Sequence, residues 1–470
     1  MTRKLALPVL LILAMMILAA CPAPASTPAE QPAAGEPAAQ PAAPAAPAVD
    51  ELKILWAQWD PADFLAQLVK DYETETGIKV TVVQEPWGSF GDRFFTEMAA
   101  GGTAWDMVIG DSQWLGQGST LGYYLDLTDF LTSTGIKDTV TPATLVYYGE
   151  YPAGSGQYWG YPTEGDADGW AYRKDLFEDP AEMAAFEAEY GYPLDVPETY
   201  EQLMDIAKFF TRPDQGLYGL AIYSQKDYDA ITMGVENTMF SWGGDWFGDG
   251  YQVLGVTNSP ENVEALQFYR DLYDCCQGPG LSNAFFAETN DAMIGGQVAM
   301  SMNYFAFFPA LVNPGTNPDY HDKIGFFPNP KGPTGQQGAA LGGQGMSVIS
   351  FISPERQQAA LDFIKWFAQE EVQAKWAELG GYTCNTNVLE SEAFLNANPY
   401  NPAFAETMTF VKDFFNIPPY GQLLEISQRE FSKFVVEGVG TAQETMDTMA
   451  QEFDRILRAE GFIQEDLMTR

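Results

Sequence analysis

Four short stretches set flat rings beside acids or amides: Gln58-Trp59-Asp60, Glu85-Pro86-Trp87, Asp111-Ser112-Gln113-Trp114 and Ser241-Trp242-Gly243-Gly244-Asp245-Trp246-Phe247. An indole face offers a stacking surface, and a carboxylate or carboxamide next to it offers hydrogen bonds at the edge of whatever stacks there. The pairing suits a hydroxylated ring, and it suits a small cation equally, because indole faces attract positive charge. This is chemistry of recognition rather than of bond-making. The chain has one histidine, His321, so a histidine base or a multi-histidine metal site has almost nothing to draw on. Cys275, Cys276 and Cys384 lack zinc spacing, and a bridge from Cys275 or Cys276 to Cys384 is one open possibility. The glycine-rich run over 332–345 lacks the Lys-Ser/Thr of a phosphate loop and reads as a loop leading into a strand at Met346–Ile349. No metal and no cofactor is expected.

The elements around these stretches alternate. Leu52–Trp56 reads as a strand. Leu65, Leu68, Val69 and Tyr72 recur at helical spacing up to a stop at Gly77, and Val80–Val83 is a second strand. Phe94, Phe95 and Met98 mark a second helix, followed by a strand over Asp106–Gly110. That order predicts an α/β fold with a parallel sheet, whose ligands sit beyond the carboxyl ends of the strands. The first three ring-and-acid stretches fall at those ends. Farther on, Ser259-Pro260-Glu261 and Ser353-Pro354-Glu355 carry the same helix-start signature. The segment 241–247 has two readings: a turn whose rings belong to a core, or a stacking platform.

The front of the chain concerns address. Arg3 and Lys4 precede an apolar run that ends at Leu18-Ala19-Ala20-Cys21, the layout of a secretory signal, and its end resembles the bacterial lipoprotein box with Cys21 as the lipidated residue. Residues 22–49 contain 8 Pro and 12 Ala, too few apolar side chains of any size to form a core, so this segment is expected to be a tether. A formal net charge of −40 excludes nucleic acid as a partner, since a polyanion would be repelled.

Six further segments carry a resemblance. "GWAYRKDLFEDP" (169–180), "VPETYEQL" (196–203), "MFSWGGDWF" (239–247), "AMIGGQVAMSMNYF" (292–305), "KIGFFPNPKGP" (323–333) and "GGQGMSVIS" (342–350) occur in the order found in the extracellular solute-binding proteins that serve ABC importers. The chain resembles the carbohydrate branch of that family, with Tyr200 where the family usually has Trp and Tyr304 near another such position. The resemblance implies a two-lobed fold of the type II periplasmic-binding-protein class, hinged so that the lobes close on a ligand. It places one lobe at 50–162 plus 302–345 and the other at 163–301 plus 346–470. It also implies a sugar ligand, an ABC permease as partner and no catalysis, and the Cys21 box with its tether adds the expectation of a lipid-anchored monomer on the outer face of the cytoplasmic membrane. The site is then expected to use Trp59, Trp87, Trp114, Trp242 and Tyr304 as ring surfaces. Gln58, Asp111, Asp166, Asp245, Asn303, Gly343 and Gln344 are expected to supply polar contacts, and Trp246 belongs to the core.

Two other readings compete. A binder of polyamines or another small cation would use the same Trp and Asp pairs. A secreted glycoside hydrolase would need two carboxyl groups flanking its substrate, for which Asp245 with Asp249, or Glu164 with Asp166, are the candidates.

Overall fold

Strand β1 (Glu51–Ala57) pairs in parallel with both β2 (Lys79–Glu85) and β3 (Met107–Asp111), with α1 (Asp60–Thr76) and α2 (Trp87–Ala99) as the crossovers. The alternation in the sequence predicts this arrangement. Helix α1 begins with Pro61 in its first turn and Asp60 and Asp63 near its positive end. It stops at Gly77, whose left-handed backbone (φ 75°) lets its N–H reach the Glu73 carbonyl. Its buried face is Leu65, Leu68, Val69 and Tyr72, each contributing roughly 1.5–3 kcal/mol if fully removed from water. These observations come from a computed structural model that describes residues 49–226 and 230–463. Cys21, the leader and all but the end of the 22–49 segment lie outside the described residues.

Six more strands complete the sheet: β4 (Tyr161–Arg173), β5 (Tyr218–Ala221), β6 (Val298–Tyr304), β7 (Ile324–Phe327), β8 (Ala339–Val348) and β9 (Val411–Lys412). The order is β2-β1-β3-β8-β4-β6-β5, with β7 also on β4 and β9 on β8. β4 is the pivot of this topology. Its first half, Tyr161–Ala167, runs antiparallel to β8, and its second half, Asp168–Arg173, pairs with β6 and β7. One strand therefore carries the sheet from the β1–β3 half to the β5–β7 half.

Several expectations need correction. The glycine-rich segment is not a loop up to Met346, because β8 begins at Ala339. Its glycines answer to close approach: a Cβ on Gly342 would sit 2.6 Å from the Tyr304 ring, and one on Gly343 (φ +96°) would sit 2.3 Å from the Glu164 carbonyl oxygen. The contacts also divide the chain differently from the expected 302–345 and 346–470 boundaries. β6 ends at Tyr304 and β7 covers Ile324–Phe327, and both pair with the second half of β4. The helices Pro354–Phe367 and Glu370–Leu379 pack on α1 instead, through Phe363 against Tyr72 (5.1 Å), Trp366 to Glu75 (3.1 Å) and Lys375 to Asp71 (2.9 Å). Pairings between segments hundreds of residues apart leave no trace in local periodicity. Finally, Cys275 is bonded to Cys276, while Cys384 is buried as a free thiol, so no bridge joins either to Cys384.

Candidate ligand-binding site

Beyond the carboxyl ends of β1, β2 and β3 lies a cavity of about 540 Å³. Trp59 follows β1, Trp87 opens α2 after β2, Asp111 ends β3 and Ser112 through Trp114 follow it; all of these line it. Trp59 and Trp87 meet edge to face, 5.3 Å between centroids and 80° between planes. Trp114 is held from behind by Phe90 (4.7 Å) and by Phe94, which stacks on it at 5.7 Å. Those contacts pre-order the rings, so a ligand would meet a surface already in place.

The floor is formed by the two antiparallel strands that span the halves. Gly343, Gln344 and Asp166 line it, and Tyr304 lies over Gly342. Gln344 is fixed at both ends: its Oε1 accepts from Trp56 Nε1 (2.6 Å) and its Nε2 donates to Asp111 Oδ1 (2.8 Å). Asp166 Oδ1 accepts from the backbone N–H groups of Ala167 (2.9 Å) and Ala306 (3.2 Å). Burial pushes the Asp166 carboxyl up to about 8, against the lowering effect of those hydrogen bonds and of a further one from the Phe305 backbone. Glu164, two residues earlier, is fully buried and is raised well above the usual carboxyl range, chiefly by burial and then by Asp166, against the lowering effect of the Tyr382 N–H. Tyr420, on the rim, is raised by burial first and by Asp111 and Asp92 second.

The opposite wall comes from the β5–β7 half. Gln225, Phe285, Phe286, Glu288 and Phe307 line it, with Phe286 and Phe307 stacked at 4.3 Å. Sequence reasoning missed this wall. The available signal was the Phe285-Phe286 doublet opening the helix Phe286–Ile294, where Glu288 caps the Phe285 N–H at 3.1 Å. Among the lining residues there are carboxyl groups from Asp92, Asp111, Asp166 and Glu288, and no Lys, Arg or His.

Eight of the expected site residues are brought together here: Trp59, Trp87, Asp111, Trp114, Asp166, Tyr304, Gly343 and Gln344. Four lie elsewhere. Gln58 is exposed, and its backbone N–H donates to the Glu85 carbonyl. Asn303 is fully buried in a network with Tyr223, Thr289 and Asn290. Trp242 is not a platform in this cavity: it is 6% exposed and wedged between Tyr200 (5.4 Å) and Phe268 (4.8 Å). Asp245 pairs with Lys412 at 2.9 Å, half exposed and outside the lining. The reason is the preceding helix Ala230–Ser241, buried along its whole length, which delivers Trp242 straight into the core. Trp246 is the core ring expected, packed among Phe414, Phe431 and Phe453.

Residues 67–403 match the family of bacterial extracellular solute-binding proteins. The chain belongs to that family. YcjN of Escherichia coli K12, an ABC-transporter periplasmic-binding protein, is 24% identical over 229 residues, which span 47% of this chain and only 46% of that relative. A solute-binding protein of Agrobacterium radiobacter K84 solved with ribitol has a TM-score of 0.74 at 24% identity, covering 87% of this chain and 99% of the other. Maltose-bound MalE3 of T. maritima gives 0.74 at 23%, covering 87% and 100%. A protein from Agrobacterium vitis S4 with bound D-mannitol gives 0.69 at 18%, covering 87% and 99%. The fold is accordingly that of the two-lobed periplasmic binding proteins. No described helix is long and apolar enough to cross a membrane.

Proposed function

We propose that this protein is the substrate-binding lipoprotein of an ABC importer and captures a sugar or polyol for delivery to a membrane permease. The observation that carries the reading is the cavity itself. Pre-ordered rings from Trp59, Trp87, Trp114 and Tyr304 surround a hydrogen-bonding floor of Asp111, Gln344 and Asp166, with no basic residue in the lining. Rings stack on the C–H faces of a sugar, and fixed carboxyl and amide groups satisfy its hydroxyls. Ribitol, maltose and D-mannitol in the structural neighbours support the same solute class. Permease delivery is supported by the ABC-transporter relative, and lipid anchoring by the Leu-Ala-Ala-Cys21 sequence. We take the crossing strand β4 as the hinge region, with helices 354–379 moving with the β1–β3 half.

The reading is non-catalytic. Neither nominated acid pair sits together in the cavity, because Asp245 and Asp249 are outside the lining and Glu164 is fully buried. The acidic, cation-free lining favours one second reading, a small cationic solute such as a polyamine. A thermal-shift panel of ribitol, mannitol, maltose, maltotriose, tagatose and spermidine separates them, since a ligand stabilises only the fold that binds it. A sugar or polyol should raise the melting temperature equally at low and high salt. A shift seen only with spermidine, and lost in salt, would overturn the proposal in favour of the second reading.

A further inference from the structure

Asp166 occupies an unusual position for a carboxyl group. It lines the cavity on the strand that spans both halves, yet it is 3% exposed, and Glu164, two residues earlier, is fully buried. None of the ion pairs among the described residues involves either. The facing elements supply no positive charge. β8 presents Leu341 and Gly342, β6 presents Tyr304, the following turn presents the Phe305 and Ala306 backbone, and the titratable neighbours are Glu164, Tyr148, Tyr382 and Cys384, with Asp92, Asp111, Glu288 and Tyr420 elsewhere in the same lining. For Glu164, Tyr148, Tyr382 and Cys384, burial is the largest cause raising the group, which favours the neutral form. Two acids in a cationless interior do not both remain ionised, because desolvation of a lone carboxylate is costly. Oδ1 takes two backbone N–H bonds and the Phe305 N–H is a third backbone donor to this carboxyl, so the proton of the neutral acid is assigned to Oδ2.

We propose that Asp166 meets the solute as a neutral carboxylic acid, donating a hydrogen bond from Oδ2 to a solute oxygen and thereby selecting uncharged hydroxylated solutes over cationic ones. This rests on the sugar-binding reading above and adds to it the protonation state that makes the discrimination. An ionised Asp166 would only accept, and would draw amines to the floor of the cavity. The neutral form offers a donor that an ammonium group cannot use. The sign of the pH effect follows. The folded group loses its proton as pH rises through about 8, so the donor is present below that pH and affinity falls above it, by up to about tenfold per unit for one proton.

The test has two arms. Glu164 contributes its own protonated-carboxyl signal, so the first readout is the infrared difference spectrum of ligand-free wild type minus Asp166→Asn. It should show a protonated-carboxyl component near pH 6 that is retained in a Glu164→Gln background and titrates away above about pH 8. Ribitol and maltose are the binding probes. Asp166→Ala should weaken whichever binds at least tenfold, and Asp166→Asn, which keeps a neutral donor, should recover most of that loss and abolish the fall with pH. The proposal is overturned if the component lost in Asp166→Asn is missing near pH 6, or if Asp166→Asn binds as poorly as Asp166→Ala. It is also overturned if wild-type affinity is flat from about pH 6 to about pH 10. If neither probe binds at any pH, the sugar reading fails, and the infrared arm still decides the protonation state.

Discussion

Trp242→Ala separates a structural ring from a binding ring. The indole is 6% exposed, with Tyr200 at 5.4 Å and Phe268 at 4.8 Å, and it is absent from the cavity lining. Truncating a buried Trp removes its transfer energy and leaves a cavity, about 3–5 kcal/mol together. Tyr200 itself is nearly fully buried, so the surrounding wall has little freedom to collapse into the space. The same truncation at Trp87, which lines the cavity and is partly exposed, costs less stability and removes a contact worth roughly 1–3 kcal/mol of binding, about 5- to 150-fold. Melting curves and calorimetric titrations on the folded fraction should therefore cross over. Trp242→Ala melts several degrees lower and binds normally per folded molecule, whereas Trp87→Ala melts near the wild type and binds poorly. If Trp242→Ala melts normally and fails to bind, the placement of this ring is wrong.

Three further outcomes follow from particular residues. Gly343→Ala combines φ +96° with a Cβ only 2.3 Å from the Glu164 carbonyl oxygen, so urea denaturation should show a loss of at least about 1–3 kcal/mol; an unchanged midpoint would mean β8 and β4 are less closely apposed. Glu164 is raised by burial in the folded state, so the folded protein holds a proton that the unfolded chain releases above its ordinary range, and stability falls as pH rises from there. Asp166 is raised by burial as well, so Glu164→Gln should reduce that fall in a melting-temperature series without abolishing it, and an unaltered slope would refute the assignment. Cys21→Ser should release the protein from the membrane fraction, and its retention there would count against lipidation at Cys21.

The first half of the sheet was legible because its order is local: each strand, helix and next strand follow within about thirty residues, and the period changes with them. The rule that ligands lie beyond strand carboxyl ends then located Trp59, Trp87, Asp111 and Trp114. Trp242 misled for a physical reason. Its flanking glycines and acid describe a turn, and only the wholly buried helix before it reveals that the turn points inward. β8 was hidden by its own function, since Gly342 and Gly343 avoid collisions with a distant ring and a distant carbonyl, and glycine in sequence reads as a break. The Phe285, Phe286 and Phe307 wall comes from an element after the crossing strand. Nothing near those residues marks that they face Trp59 across a cavity.

A crystal structure of the protein with the best-stabilising sugar or polyol of the panel tests the central claim most directly. The account predicts ligand density in the cavity beyond β1–β3, with a ring or carbon chain against Trp59, Trp87 or Tyr304 and oxygens within hydrogen-bonding distance of Asp111, Gln344 and Asp166. Ligand bound instead near Trp242 and Asp245, with this cavity holding only solvent, would contradict it.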